Sequence, residues 1–432
     1  MFPISSRAGG TFVSRAALTA ALALGLAGGM VATAAPALAK EAKDAKAEGP
    51  KLSKAFITLA GPLQNDMAKA KDQASAAALK DKVLAALAAA QTVDDKFFAG
   101  NFAIQIGQTG KDSGLMKTGL ETVIGSGKLT GPELGKYNYY LGGMAFDAKD
   151  YAGARTAFSN AVAAGYVEND VQALLAETYF ATNELPKGLE VLGAAITARK
   201  AAGSVPPKEW YIRGLSVAYK AKTYEQAFGF GAGLVEAYPS TDNWADAIGL
   251  ARTAGRFQAQ ETLDLMRLMD ATGSYRDTSD YAEYLQAADA RRAPAEVLKI
   301  LDEGVKSGKL SPSDVFVNEN KTIAQARLAA DKASLPPLEK DALLPTASTA
   351  TVMAAGDAFL SYDQWAKAEG FYQTALGKPG VDADRALTRL GIAQFEQGKF
   401  ADAQATFGKV NGVRKPIAQL WAIFAGQKAK GG

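Results

Sequence analysis

Phe146-Asp147-Ala148-Lys149-Asp150-Tyr151-Ala152-Gly153-Ala154-Arg155-Thr156-Ala157-Phe158 is the stretch that decides the fold. It runs from a large apolar residue through a short polar turn to a second large apolar residue five positions on, then to a small residue three later and a bulky one four beyond that. Residues 180–192, 219–231, 360–372 and 395–407 align with it without gaps, and only 219–231 lacks the final bulky residue. The small anchors Ala154, Gly188, Ala227, Ala368 and Ala403 are separated by 34, 39, 141 and 35 residues. A gap of 141 is close to four periods, so three degenerate units are expected at 243–269, 281–304 and 316–344, with one more upstream at 97–124. A recurring period of this length marks an array of similar units.

Within the first copy, Ala154, Phe158, Ala161 and Val162 fall at i, i+4, i+7 and i+8 and so share one helical face. A small anchor lets two helix axes come within the roughly 8–10 Å of packed helices. One helical hairpin cannot bury such a stripe alone, whereas a row of hairpins builds a continuous core. Residues 62–90 are alanine-rich and predict one or two helices leading into the row, and Ile417, Leu420, Trp421 and Phe424 after Pro416 predict a terminal capping helix. Pro312, Pro336, Pro337 and Pro345 predict interrupted helices and a boundary between lobes. The expected organisation is a signal peptide at 1–39, a flexible tether at 40–61, an N-terminal helical lobe at 62–310, a proline-containing connector at 311–346, a C-terminal repeat pair at 347–413, and a capping helix and tail at 414–432.

Leu141, Gly142, Tyr151, Ala154, Phe158 and Ala161, and again Leu390, Gly391, Phe400, Ala403 and Phe407, resemble the signature of the tetratricopeptide repeat family. Ala145 and Gln394 stand where that family prefers Tyr, Gly188 replaces the anchor Ala, and the terminal Pro is recognisable only as Pro239. The resemblance implies an all-α solenoid of helical hairpins, a right-handed superhelix in two lobes, whose first helices line a concave groove. It places Phe146, Phe180, Tyr219, Leu360 and Phe395 where a ligand is often met, with Tyr139, Asp147, Glu177, Ile212, Arg213, Ser216, Lys220 and Asp357 beside them. The recurring aromatics fit either of two roles: a ladder for an extended peptide or glycan, or filling between neighbouring repeats. The Lys and Asn by which some family members grip a chaperone's carboxylate tail are missing at these places.

With no Cys and no His in 432 residues, the chain lacks the groups for thiol catalysis, Ser-His-Asp triads and Cys/His metal sites. Gly125-Ser126-Gly127-Lys128 is followed by Leu129, not the Ser or Thr of a phosphate loop, and Gly229-Phe230-Gly231-Ala232-Gly233 suits close helix packing. Asp94-Asp95, the densest carboxylate pair, reads as a solvated helix start. No enzyme, cofactor or metal site is expected. A balance of 48 basic and 45 acidic residues does not supply the charge for nucleic-acid binding. Arg7 and Arg15, an apolar run at 16–35 and Ala37-Leu38-Ala39 predict a cleaved export signal; without a lipoprotein cysteine, the product is expected to be periplasmic or secreted with no stable membrane insertion. Together these features predict a non-catalytic scaffold in the bacterial periplasm that binds another protein or extended peptide, or alternatively a glycan-binding protein of polysaccharide assembly or export.

Overall fold

The computed structural model describes residues 49–431, among which all regular structure is helical. The expected signal peptide and residues 40–48 of the expected tether lie outside the described residues. Two compact units meet in sequence between Thr197 and Ala198. The cut falls inside the helix Leu185–Ala201, which for the most part belongs to the first unit.

The first unit begins with α1 (Lys54–Lys69), α2 (Gln73–Ala77) and α3 (Lys80–Ala89), followed by the hairpins α4 (Val93–Gly110) with α5 (Ser113–Gly125), α6 (Gly131–Asp147) with α7 (Tyr151–Ala163), and α8 (Val171–Ala181) with α9 (Leu185–Ala201). Helix α1 starts at Lys54, so residues 54–61 of the expected tether are helical. Its apolar residues Phe56, Leu63 and Met67 recur on one face and are buried with Val83, Phe102 and Ile106. Asp95 fixes this start: it is buried and accepts from the backbone N–H groups of Ser53, Gln91 and Thr92 at 3.0, 3.0 and 3.1 Å. Asp94 accepts from Lys51 N–H at 2.6 Å and pairs with Lys128. The pair does open a helix, but it clamps the incoming chain instead of facing solvent.

The second unit continues with α10 (Lys208–Lys220) and α11 (Tyr224–Ala237), α12 (Thr241–Gly255) and α13 (Ala259–Ala271), α14 (Thr278–Ala288) and α15 (Pro294–Lys306). After the long α16 (Val315–Ala342) come α17 (Thr349–Ser361) with α18 (Trp365–Leu376), α19 (Ala383–Glu396) with α20 (Phe400–Phe407), a short 3₁₀ turn at Gly412–Arg414, and α21 (Lys415–Gly431). The degenerate units expected at 243–269 and 281–304 are the hairpins α12–α13 and α14–α15. The unit expected at 316–344 is one 28-residue helix containing Pro336 and Pro337. Lys332 and Ala333, four residues before these prolines, are exposed, so their carbonyls can bond water in place of the missing N–H donors and the helix continues.

The recurring segment is a hairpin turn written five times. Lys149, Asn183, Lys222, Asp363 and Gly398, each three residues after the first apolar position, are left-handed, with φ of 62°, 61°, 60°, 56° and 74°. In each turn the next N–H donates to the carbonyl five residues back: Asp150 to Ala145, Glu184 to Tyr179, Thr223 to Ala218 and Gln364 to Phe359 at 2.9 Å, and Lys399 to Gln394 at 3.0 Å. This is the Schellman closure of a helix C-terminus. The helices then pack ring on glycine. A Cβ on Gly142 would lie 2.6 Å from the Phe158 ring, one on Gly356 2.7 Å from Tyr372, and one on Gly391 2.5 Å from Phe407. Gly214 faces Phe230 in the same way, and at the second copy the partners are exchanged, Gly188 lying under Phe180.

Candidate functional site

The candidate groove positions divide into three kinds. Phe180, Leu360 and Phe395 are core, at 9%, 5% and 7% exposure. Tyr139 and Ser216 are also buried. Phe146 and Tyr219 are half-buried and each meets the ring that opens the following helix: Phe146–Tyr151 edge to face at 5.3 Å and Tyr219–Tyr224 at 5.6 Å. Phe395–Phe400 repeats this pairing at 5.2 Å, and Phe395 also packs on Trp421 and Phe424. The two apolar residues five apart therefore clasp the hairpin turn. Phe180 and Phe395 are thus taken up in packing, while Phe146 and Tyr219 keep part of their rings exposed.

Asp147, Ile212 and Lys220 are exposed, while Glu177 and Arg213 are half-buried. On α6, Tyr140, Met144 and Asp147 fall at i, i+4 and i+7, and the first two are half-buried. On α8, Leu174, Glu177 and Ala181 fall at i, i+3 and i+7 and likewise share one face. Behind this face Tyr139 packs against Phe158 and Tyr166 at 6.2 and 5.4 Å, and burial pushes its hydroxyl up to about 12. The α6–α8 face thus rests on a rigid aromatic layer.

Asp357 belongs to a different structure, one not visible in the repeat pattern. It accepts from Arg389 Nη1 at 2.6 Å and Tyr372 Oη at 2.8 Å and pairs with Arg385. Burial pushes its carboxyl up, but Arg389 and Arg385 outweigh this and hold it below the usual range. Next to it Asp264, fully buried on α13, accepts from Arg267 Nη1 and Arg389 Nε at 3.0 Å each and pairs with Arg414. Arg267 also grips Glu296 through two bonds of 2.8 Å, and Arg414 Nη2 donates to Glu261 at 2.9 Å. Arg267, Arg385, Arg389 and Arg414 are thereby balanced by Glu261, Asp264, Glu296 and Asp357. Every member is committed to another, so the cluster holds helices together and presents no free nucleophile or base.

Its partners lie far apart in sequence: 125 residues for Arg389–Asp264 and 150 for Arg414–Asp264. Helix α21 follows the same path. Trp421 Nε1 donates to the Asp264 carbonyl at 3.0 Å, Phe424 meets Trp244 edge to face at 5.4 Å, and Gln427 donates to the Val235 carbonyl at 2.7 Å across 192 residues. The expected capping helix exists, but it lies across α11, α12 and α13 in addition to its neighbour α20. Its apolar face is wide enough to serve both, since Ile417, Ala418, Leu420, Trp421, Phe424 and Ala425 are all buried.

Among the described residues no group of three or more carboxylates is arranged to hold a metal ion, and no helix is long and apolar enough to cross a membrane. No family model and no curated protein matches the chain. Among solved structures it is similar to a chain of the Naa15/Naa10 assembly bound to HypK-THB, at 16% identity over 84% of this chain and 66% of that one, with a TM-score of 0.35. It thus spans just under two thirds of that neighbour's length. It is also similar to a tetratricopeptide repeat protein from Parabacteroides merdae (11% identity, 67% of this chain, 98% of that one, TM-score 0.24). A third similar structure is the TPR2AB domain of yeast Sti1 in its pHSP90 complex (12% identity, 70% and 97%, TM-score 0.24). Its five-fold hairpin turn and its glycine-on-ring packing give the described chain a tetratricopeptide-like fold of helical hairpins.

Proposed function

We propose that the protein is a non-catalytic interaction scaffold, exported to the bacterial periplasm, that binds another protein or an extended peptide on the α6–α8 face. The observation that carries this reading is that half-buried Tyr140 and Leu174 rest on one packed aromatic layer, with Met144 and Asp147 further along the Tyr140 face of α6 and Glu177 on the Leu174 face of α8: apolar surface with charge beside it. The export part draws on residues 1–39 and on the absence of cysteine.

A photo-crosslinking amino acid at Met144 or Asp147, in the full-length precursor expressed in its own cell envelope, is expected to capture a discrete protein, whereas the same probe at Lys332 on α16 captures none. Equal labelling from all three positions, or none, overturns the site. N-terminal sequencing of the recovered chain is expected to begin at about Lys40; recovery of an unprocessed chain from the cytoplasm overturns the export reading.

A further inference from the structure

Within the second unit, a cavity of about 170 Å³ opens between α13, α15, the turn after α17, and α19. Its walls are hydrocarbon and aromatic, from Leu360, Ile392 and Trp365. Its polar lining is unequal in charge. Arg267 and Glu296 neutralise each other, and Tyr284 Oη is spent on Glu296 at 2.8 Å. There remain Lys299 as a cation and Asp270, Asp363 and Glu396 as carboxyl groups. Among the described residues the side chains of Lys299, Asp363 and Glu396 form no hydrogen bond and no direct ion pair, although they surround one small space.

We propose that this cavity binds an alkylammonium group, its charge held between Asp363 and Glu396 and its methylenes against Leu360, Ile392 and Trp365. Asp270 is engaged by Tyr275 Oη at 3.2 Å, and the remaining Asp363 and Glu396 against one lysine disfavour an anion. The spacing that fails to make a metal site, together with the apolar walls, suits a cation carried on a hydrocarbon chain better than a bare ion. At about 30 Å³ per water molecule the space holds several waters, or a four- to five-carbon amine. The surroundings agree: burial and then the neighbouring Glu303 push Asp270 up to about 7, and burial followed by Asp363 pushes Glu396 up against the opposing effect of Lys299. A bound ammonium adds to the charge of Lys299 and favours the ionised form of these carboxyls. The site goes beyond the scaffold reading and holds whether or not the α6–α8 face binds a partner.

The ammonium could come from a free amine or from a lysine side chain of another protein, and two probes separate these sources. The full-length protein, labelled with 5-fluorotryptophan, carries four tryptophans, of which only Trp365 lines the cavity. Titration with butylammonium chloride, and separately with capped Ala-Lys-Ala, is expected to shift the Trp365 fluorine resonance saturably, with Kd of about 1–10 mM. Capped Ala-norleucine-Ala is expected to leave it unmoved. Binding of both amines marks a site for any alkylammonium, and binding of the peptide alone marks a site for a partner's lysine. Asp363→Asn and Glu396→Gln are each expected to weaken binding at least about tenfold while the other three resonances stay in place. Asn also tolerates the left-handed backbone at 363, so that variant keeps its turn. Failure of both amines to saturate the shift, or equal binding by both variants, overturns the proposal.

Discussion

Lys149, Asn183, Lys222 and Asp363 occupy the left-handed place of a turn in which only the last copy, at Gly398, has glycine. A side chain at this backbone angle costs about 1 kcal/mol relative to glycine, less for Asn and Asp. Lys149→Gly and Lys222→Gly should therefore each raise unfolding free energy by up to about 1 kcal/mol, and Gly398→Ala should lower it by a similar amount, as read by urea denaturation. The opposite behaviour is expected inside the helices. At Gly391 a methyl would meet the Phe407 ring, so Gly391→Ala should destabilise by about 1–3 kcal/mol. Gly229 has open space around its Cβ position, so Gly229→Ala should stabilise by as much as ~1 kcal/mol through helix propensity. Of the alternate glycines 229, 231 and 233, the sequence-based expectation of close packing holds for two: Gly231 faces Leu250 and Gly233 faces Tyr211. Tyr211 lies in the same hairpin as Gly233, whereas Leu250 belongs to the next one. The left-handed turn stayed hidden because two of its five copies carry Lys, which has no preference for that backbone.

At the scale of elements, the hairpins were legible wherever apolar residues kept the repeat spacing, and the errors fell where a charge or proline was judged without its surroundings. Asp94-Asp95 looked solvated because acidic residues commonly open helices; Thr92 Oγ1 does accept from Asp95 N–H at 3.0 Å. The sequence does not reveal that the Ser53 segment folds over that end and buries Asp95. Burial alone would raise this carboxyl, but hydrogen bonds from Ser53, Gln91 and Thr92 outweigh it and lower it from 3.8 to about 2. A depressed carboxyl stabilises the fold above its unfolded value, and this contribution is lost as pH falls from about 4 through about 2. The stabilisation at stake is about 1–2.5 kcal/mol, the upper end being the full shift and the lower allowing for solvent screening. Asp95→Asn should remove that part of the acid slope, leaving the urea midpoints of variant and wild type closer together at pH 2 than at pH 7.

At the scale of the molecule, a row of hairpins touching only their neighbours is a one-dimensional object in which damage stays local. The second unit departs from this, because α21 returns to α11–α13 and Asp264 is bonded by arginines 125 and 150 residues away. Nothing in the repeat pattern announces the closure: Asp264 lies between Leu263 and Leu265, Arg389 between Thr388 and Leu390, and each alone resembles an ordinary helical charge. The physical signal is that both are fully buried, and a buried charge demands a partner. Breaking such a pair from one side costs about 3–5 kcal/mol, because the charge left behind stays out of water. Asp264→Ala should therefore destabilise the second unit far more than a surface Asp→Ala such as Asp402→Ala. Truncation after Asn411, which removes Arg414, Trp421 and Gln427 together, discriminates between the two architectures by hydrogen exchange. In a nearest-neighbour stack, amides of α19 and α20 would lose protection and those of α12 and α13 would keep it. With the closure described here, protection should fall in α12 and α13 as well, more than in α17 and α18, which stand nearer to the cut in sequence.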